Sequence, residues 1–411
     1  MKTVRNGCPW CCLTLLIVVL LGCMAVSARA QQAMGTSGPW SMLDRVPPGE
    51  VLTEPWVRPL RGQAARLDVK AMEKLLARAP FENSPQAAAP LVVTLPDPEG
   101  NWERFSLVEY SVMEAPLAAA HPELRTYRGE GIDDPYATIR CSLTPVGFQA
   151  QVRTPGETGP ASGMWHIDAY TRGDTTLYMS YRHADAGGPP KVFDCQTVDA
   201  GGQIGFRARS TTGPTLRTYR LALALTGEMT VWAGGPAGGL TLATNVVNQL
   251  NGIYETELSV RFVLVGSETA IIYPDPNTDP FTNPGSSTTT NGNLQTALDA
   301  TIGSANYDVG HVIHYSSNNN GQAGGIGTVC IAGQKGSGYT SYSAPNDPYF
   351  VIDYVAHELG HQFGGHHTHS NCGGTPGDSA QYLVEAGSGT TIMSYAGICG
   401  TGYNAQSHND P

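Results

Sequence analysis

The second half of the chain alternates between strand-like and helix-like spacing of its apolar residues. Residues 218–225 are predicted to form a strand, and residues 258–265, which alternate and contain β-branched residues, are predicted to form a second one. Between them, apolar residues recur on one face of a predicted helix over residues 240–254. Residues 294–302 are predicted to be helical, and residues 309–315 to form a buried strand. This succession predicts an α+β domain.

Two polar stretches interrupt that pattern. Residues 274–293 are turn-forming throughout, which predicts a long surface loop. Residues 318–327 are polar and rich in glycine, and they predict a second loop that leads into residues 328–331.

The first half of the chain predicts strands almost throughout. Residues 31–70 show little periodicity and are predicted to be an extended lead-in, followed by a short helix over residues 69–79. Residues 201–214 contain mostly Gly, Thr, Ser and Arg, as linkers do. The strands are predicted at residues 91–95, 104–108, 137–141, 147–152 and 177–181, separated by Pro, Gly and Asp turns. The sequence therefore predicts a β-rich domain over residues 31–214 and a second domain over residues 215–411.

The first 30 residues read as a secretory signal. Lys2 and Arg5 precede an apolar run over residues 13–21, and Ala28-Arg29-Ala30 matches a cleavage site. The run is shorter than the roughly 20 residues that span a bilayer, and no second apolar segment follows. We therefore expect a secreted chain cleaved near Ala30 and no transmembrane segment. The alternative interpretation is lipoprotein anchoring at Cys23.

Charge argues against one class of partner. Removing the leader takes away three basic residues and no acidic ones, so the formal net charge changes from −11 to −14. An acidic surface does not favour nucleic acid, which attracts basic patches.

Residues 357–367 carry the strongest chemical signal, with the sequence HELGHQFGGHH. His357 and His361 stand one helical turn apart, so both imidazoles can bind one metal ion. Glu358 lies beside the first ligand, where it can accept a proton from water. Gly364 permits a sharp exit from the helix that brings His367 back as a third ligand. Three protein ligands and one open position describe a catalytic zinc site, and this pattern is the long form of the zinc-protease signature.

The chain from about residue 216 resembles the metzincin metallopeptidases, in particular reprolysin-like enzymes of secreted bacterial proteins. The zinc motif, the downstream TIMSY sequence at residues 391–395 and the EAGSG sequence at residues 385–389 carry this resemblance. It implies a metzincin catalytic domain, with a mixed twisted sheet and an active-site helix, one catalytic Zn²⁺ ion and protein or peptide substrates. A weaker match at residues 165–170 resembles reprolysin propeptides.

The resemblance also implies roles for individual residues. His357, His361 and His367 would be the zinc ligands and Glu358 the general base. Met393 would lie in the tight turn beneath the metal. Tyr395 matches a tyrosine that astacins and serralysins place near the zinc, where it stabilises the oxyanion; the alternative is a packed aromatic of the turn. The exposed edge strand that receives the substrate would lie at residues 328–331. Apart from the resemblance, the position of Asp353 before Tyr354 predicts that it caps the active-site helix.

Other polar residues offer alternatives. His366 or His369 could replace His367 if the turn differed by one or two residues. His311 and His314 point to opposite faces of a predicted strand and read as structural. Asp275 and Asp279 could bind Ca²⁺, but neighbouring Pro and Asn residues favour a plain turn.

Five cysteines remain after the leader. Cys372 follows the metal loop and Cys399 follows the methionine turn, so we expect a disulfide between them. Cys141 and Cys195 are predicted to form a second disulfide; the alternative is that one of them blocks the open zinc position of a zymogen. Cys330 is left free or pairs outside this sequence. Residues 207–209 (RAR) form a plausible cleavage site in the linker.

The leading hypothesis is a secreted zinc endopeptidase made as a zymogen. The alternatives are a non-catalytic adhesion or binding protein stabilised by zinc, and a zinc amidase. Metzincin domains usually continue into a C-terminal helix, whereas this sequence ends after a polar stretch, so we expect a fragment or a missing downstream segment. Oligomeric state has no signature in the sequence.

Overall fold

The computed structural model describes residues 36–47, 55–154, 163–187, 193–197, 215–281, 287–374, 377, 381–400 and 402–406. The predicted signal peptide, Cys23, the linker over residues 201–214 and its RAR sequence lie outside these residues. Within them, no helix has the length and apolar character needed to cross a membrane.

The N-terminal half forms one ten-stranded antiparallel sheet, in the order β1-β2-β3-β10-β9-β8-β7-β6-β5-β4. Two helices accompany it, α1 (Val69–Leu76) and α2 (Ala115–Ala120). Its strands are β1 (Thr36–Ser37), β2 (Trp40–Leu43), β3 (Gln63–Leu67), β4 (Leu91–Pro96), β5 (Trp102–Tyr110), β6 (Arg125–Gly131), β7 (Thr138–Thr144), β8 (Gly147–Thr154), β9 (Gly163–Ala169) and β10 (Leu177–Arg182).

All five predicted strands of this half are present. The predicted lead-in is wrong, because β1, β2 and β3 lie within it and extend the sheet. Their side chains do not alternate clearly in the sequence, but β3 pairs with β10 over Gln63–Arg66, so tertiary pairing overrides weak local preference.

A six-stranded mixed sheet combines five strands of the second half with β11 of the first half, in the order β11-β15-β16-β14-β12-β13. Its strands are β11 (Asp194–Cys195), β12 (Arg217–Leu225), β13 (Val260–Leu264), β14 (Val309–Tyr315), β15 (Asn320–Ala323) and β16 (Gly336–Tyr342). Its helices are α3 (Gly227–Ala233), α4 (Pro236–Leu258), α5 (Ser287–Thr301) and α6 (Ala356–Gln362). Helices and strands share this half, in agreement with the predicted α+β class.

Two loop predictions in this half are wrong. Helix α5 begins at Ser287, inside the predicted long loop. Strand β15 lies inside the predicted glycine-rich loop and pairs antiparallel with β16. Residues 328–331, where we expected the edge strand, instead form turns.

Helix α4 lies between the two halves and is buried almost all round. Its apolar residues join the main core, while polar residues contact the N-terminal sheet. Strand β7 is also buried on both faces: Ile139 and Cys141 enter the core of the N-terminal sheet, whereas Arg140 binds Glu255 of α4 at 2.7 Å. Gly252 permits this close contact, because a Cβ there would lie 3.0 Å from the Arg140 side chain.

Candidate active site

Helix α6 places two histidines at the centre of the molecule. A π-helical segment, Phe350–Val355, runs directly into α6, and such turns often accompany functional sites. His357 and His361 are separated by one turn and both are buried. Asp353, predicted as the helix cap, is instead buried inside the π-helical segment, and its carboxylate lies 3.6 Å from His183.

A glycine turn brings the third histidine back to the first two. Gly364 adopts φ 102°, a left-handed conformation that costs glycine little. The Nε2 atoms of His357 and His361 are 3.1 Å apart, and the Nε2 atom of His367 lies 3.2 Å from each of them. Three ring nitrogens therefore converge on one point.

The outer nitrogens of two of these rings set their tautomers. His357 Nδ1 donates to the Ile392 carbonyl at 2.6 Å, and His361 Nδ1 donates to the Gly365 carbonyl at 2.7 Å. In the neutral ring the inner Nε2 atom then carries a lone pair. Burial first, and then the neighbouring imidazoles, lower the pKa of both His361 and His367, so the neutral forms are favoured.

This geometry fits a zinc ion. Nitrogen ligands about 2.0–2.1 Å from a tetrahedral ion are roughly 3.3–3.4 Å apart, close to the separations found here. Lone pairs that point at one another repel, and a cation between them removes the repulsion. The residues present therefore suit zinc as a resident metal.

Cys195 joins the three histidines. Its Sγ atom lies 3.5 Å from His361 Nε2, and the four candidate ligand atoms lie within 4.8 Å of one another. The predicted Cys141–Cys195 disulfide is wrong, because both thiols are free. Cys141 points into the core of the N-terminal sheet, whereas β11 carries Cys195 to the metal cluster.

A short segment around Cys195 covers the site. Strand β11 pairs in parallel with β15, with Cys195 opposite Gly321. Next to it, the Gln196 amide donates to the Gly321 carbonyl at 2.8 Å, and the Ala323 amide donates to Thr197 Oγ1 at 2.8 Å. At the other end the Phe193 ring stacks on Tyr354, with ring centres 4.1 Å apart.

Glu358 is fully buried beneath this segment. Thr197 Oγ1 donates to its carboxylate at 3.1 Å. Burial raises the pKa of Glu358 to about 8, and hydrogen bonds from Cys195 and Thr197 partly offset that rise. Gly321 leaves room for the carboxylate, since a Cβ there would lie 2.7 Å from Glu358 Cγ.

Met393 forms the floor under the histidines. A Cβ on Gly360 would lie 2.4 Å from Met393 Sδ, so the sulfur packs directly against the helix backbone. The Thr368 amide donates to the Met393 carbonyl at 3.1 Å, which joins the turn to the chain after His367. Met393 thus supports the site by packing, as a soft side chain can.

Tyr395 lies against two of the rings. Its ring centre is 4.9 Å from that of His367 and 5.9 Å from that of His357. Burial, followed by the nearby Cys195 and Glu358, raises the pKa of its hydroxyl, which stays protonated. A protonated phenol can donate a hydrogen bond to a developing negative charge.

The other histidines have different surroundings. His366 stacks on Tyr382, with centres 3.6 Å apart, and His369 stacks on Tyr395 at 4.2 Å. His311 contacts Gln362 Oε1 at 3.0 Å, and His314 contacts Thr226 Oγ1 at 2.9 Å. None of these four belongs to the cluster of candidate metal ligands found in the described part of the chain.

The acidic pair considered for calcium forms turns. Asp275 accepts from the Asn277 amide at 2.9 Å, and Asp279 accepts from the amides of Gly227 and Phe281. The bond from Asn277 is a local turn contact, as the sequence predicts for Asp275, whereas the bond from Gly227 joins Asp279 to the first residue of helix α3.

A disulfide joins Cys372 to Cys399, the pair expected from the sequence. It links the segment after the metal loop to the segment after the Met393 turn. Cys330 is exposed and free.

Two parts of the site were missed by sequence reasoning. Strand β15 has the sequence Asn-Gly-Gln-Ala, which carries no strand signal, and Thr197 stands in a polar segment without periodicity. Thr197 follows Cys195 by only two residues. If Cys195 blocks the zinc position, Thr197 must therefore lie close to the site as well.

Comparison with known proteins supports one family. Residues 215–410 match the family model described as metallo-peptidase family M12B, reprolysin-like. A search of curated proteins finds no significant match to this chain.

Proposed function

Because residues 215–410 belong to the reprolysin-like metallopeptidases of family M12B, we propose that this chain is a zinc-dependent endopeptidase held latent by its N-terminal half. One observation carries the proposal. Three inward-facing Nε2 atoms lie 3.1–3.2 Å from one another, next to a buried glutamate. Three ligands with one further position are the arrangement of a catalytic rather than a structural zinc site.

The residues around the cluster suit peptide hydrolysis. A zinc ion bound here supplies Lewis acidity, which polarises a carbonyl and makes water acidic near neutral pH. Glu358 accepts the proton from the attacking water and returns it to the leaving amine. The Tyr395 hydroxyl donates to the oxygen that becomes negative. Strand β15 offers its edge to an extended peptide once β11 has left.

Latency rests on the segment of residues 193–197. Cys195 would supply a fourth ligand to a zinc ion held by the three histidines, Thr197 donates to Glu358, and β11 occupies the edge of β15. A thiolate is a strong zinc ligand, so with this segment in place a substrate can reach neither the zinc position nor Glu358. The β-rich half, residues 31–214, thereby acts as a propeptide.

We also propose secretion, with cleavage near Ala30. The leader pattern of the first 30 residues supports it, and the RAR sequence at residues 207–209 offers a site at which the linker is cut. N-terminal sequencing of protein from the culture medium tests both positions. Starts at Gln31 and near residue 210 are expected, whereas retention of Met1 would contradict export.

The decisive experiment compares cysteine variants of the full chain. Cys195→Ala removes the blocking thiol, and we expect casein cleavage to rise at least about tenfold over the unmodified chain in zinc buffer. Cys330→Ala is the matched control, since that thiol is also free but exposed and absent from the metal cluster. A chelator should abolish the activity, and added zinc should restore it.

The outcomes separate the competing functions. Zinc binding by the Cys195→Ala chain without cleavage of any peptide would favour the adhesion or binding protein. Cleavage of small amides but not of casein would favour the amidase. Equal activity of the Cys195→Ala and Cys330→Ala chains would contradict latency through Cys195.

A further inference from the structure

Glu385 occupies an unusual position beside the metal loop. Its carboxylate accepts five hydrogen bonds within a stretch of 24 residues. Oε1 accepts from the hydroxyls of Thr368 and Thr391. Oε2 accepts from the amides of Thr390 at 2.7 Å and Thr391 at 3.1 Å, and from the Thr390 hydroxyl at 3.3 Å. A carboxylate has about four lone-pair sites, so its accepting capacity is filled.

The backbone of Glu385 binds the same loop. Its amide donates to the Thr368 carbonyl at 3.0 Å, and its carbonyl accepts from the Ser370 amide at 2.8 Å. His369 and Glu385 form a parallel bridge. Thr368 directly follows His367, so these bonds anchor the chain beside the third candidate ligand.

The hydrogen bonds of Glu385 also reach the Met393 turn. Thr390 and Thr391 directly precede Ile392, whose carbonyl accepts from His357 Nδ1 at 2.6 Å. The Met393 carbonyl accepts from the Thr368 amide at 3.1 Å. One side chain therefore connects the segment that orients His357 with the segment that carries His367.

Glu385 acts here as an anion. Burial alone raises its pKa, but the hydrogen bonds from Thr368, Thr391 and the backbone outweigh burial and lower the pKa below its ordinary value. Two of the five donors are the backbone amides of Thr390 and Thr391, which cannot accept, so a Gln side chain would have to keep its carbonyl oxygen at the Oε2 position and would lose the negative charge. Hydrogen bonds to a charged acceptor are also the stronger kind.

We propose that Glu385 is a positioning residue that sets zinc affinity by holding the His367 loop on the Met393 turn. It acts on the ligands through Thr368, Thr390 and Thr391. The inference rests on the proposed zinc site. It gives a function to Glu385 of the EAGSG sequence, which is not itself a candidate metal ligand. Partners that orient metal ligands typically change metal affinity by about 10–100-fold when removed.

The test measures zinc binding in the full chain carrying Cys195→Ala, so that the thiol adds nothing. Glu385→Gln should raise the zinc Kd by about 10–100-fold in competition with a chelator. Glu130→Gln is the matched control, because Glu130 is an exposed glutamate of β6. The absorption spectrum of the cobalt-substituted protein should change in Glu385→Gln and not in the control.

A second pair of variants removes a single hydrogen bond. Thr391 is exposed, so Thr391→Val should fold while losing the hydroxyl that donates to Oε1. We expect its zinc Kd to rise by about tenfold, and Thr391→Ser should restore the parent value. If near-ultraviolet circular dichroism shows that Glu385→Gln does not fold, the zinc Kd values of Thr391→Val and Thr391→Ser test the proposal instead.

Two results would overturn the proposal. One is a folded Glu385→Gln chain with the parent zinc Kd and cobalt spectrum. The other is an equal loss of zinc affinity in Thr391→Val and Thr391→Ser. A Cys195→Ala chain that binds zinc but cleaves no peptide would refute the proposed function alone, because the Glu385 variants are compared by their zinc Kd and not by their activity.

Discussion

Glu358 is a carboxyl group that the segment around Cys195 both covers and binds. It is fully buried, Thr197 donates to it, and burial raises its pKa to about 8. The same segment brings Cys195 to the histidines. Removing the segment therefore frees the proposed base and the fourth metal position together.

Replacing Glu358 by Gln tests its role as the base. An amide cannot accept a proton from water, so kcat/KM for a peptide should fall by about 10²–10⁴-fold in the Cys195→Ala chain. Zinc content measured by atomic absorption should stay the same, because Glu358 is absent from the ligand cluster. Glu123→Gln, the same substitution at an exposed glutamate, serves as the control. Activity retained in Glu358→Gln would rule out the assigned mechanism.

The elements around the candidate metal site are joined by packing rather than by chain continuity. Helix α6 meets the Met393 turn at Gly360, where the Met393 sulfur lies 2.4 Å from the position that a Cβ would take. A disulfide then ties the segment after the metal loop to the segment after that turn. These contacts fix the irregular segments that follow helix α6.

Gly360→Ala measures the contact between α6 and the turn. The added methyl group would lie 2.4 Å from Met393 Sδ, so the side chain must move. Overpacking of this kind costs about 1–3 kcal/mol of unfolding free energy. Urea denaturation should show that loss, and a Gly360→Ala, Met393→Ala double variant should recover part of it relative to Met393→Ala. Strictly additive losses would contradict direct contact.

Replacing both Cys372 and Cys399 by Ser measures the disulfide. The bond closes a loop with a sequence separation of 27. Chain entropy for such a loop corresponds to about 3–4 kcal/mol. We expect the unfolding free energy in denaturant to fall by that order, and reductant to have little effect on the double variant. A loss below about 1 kcal/mol would show that the loop is held by other contacts.

Local patterns predicted the elements whose side chains carry their own signal. The spacing of His357 and His361 predicts a shared helix face because that contact spans one turn. Strand β15 was missed because Asn320, Gly321 and Gln322 do not favour strands, and β16 and β11 supply its pairing. The contact between Cys195 and His361 joins residues 166 positions apart, and no local pattern distinguishes it from a disulfide with Cys141.

At the scale of the molecule, buried histidines connect the N-terminal sheet to the π-helical segment that precedes helix α6. His166 of β9 contacts His183 at 3.2 Å, and His183 lies 3.6 Å from Asp353, just ahead of α6. The rings of Tyr181 and Tyr349 pack against this pair. Burial, and then His183, hold the pKa of His166 well below its ordinary value.

This pair predicts a loss of stability in acid. His166 binds its proton more weakly in the folded state, so its contribution is fully present above about pH 6.5 and is lost as the pH falls below that value. Asp168 nearby opposes the trend, because burial raises its pKa to about 6 and the folded state then binds the extra proton. The contribution of His166 must therefore be isolated with a variant.

The measurement compares denaturation at pH 7.5 and pH 5 for the parent chain and His166→Gln. The parent should lose about 1–2 kcal/mol more than His166→Gln over this interval, since each pH unit is worth about 1.4 kcal/mol per proton. His121→Gln provides a control, because that ring is partly exposed beside Glu123. Parallel pH curves for parent and His166→Gln would contradict the prediction.

The position of helix α4 has a kinetic consequence. Arg140 and Arg153 of the N-terminal sheet pair with Glu255 and Glu257 on that helix. These noncovalent contacts between the two halves do not depend on an intact linker. A cut in the linker would convert an intramolecular association into a bimolecular one. The severed half would then behave as a bound inhibitor, and the onset of proteolysis should depend on dilution as well as on cleavage.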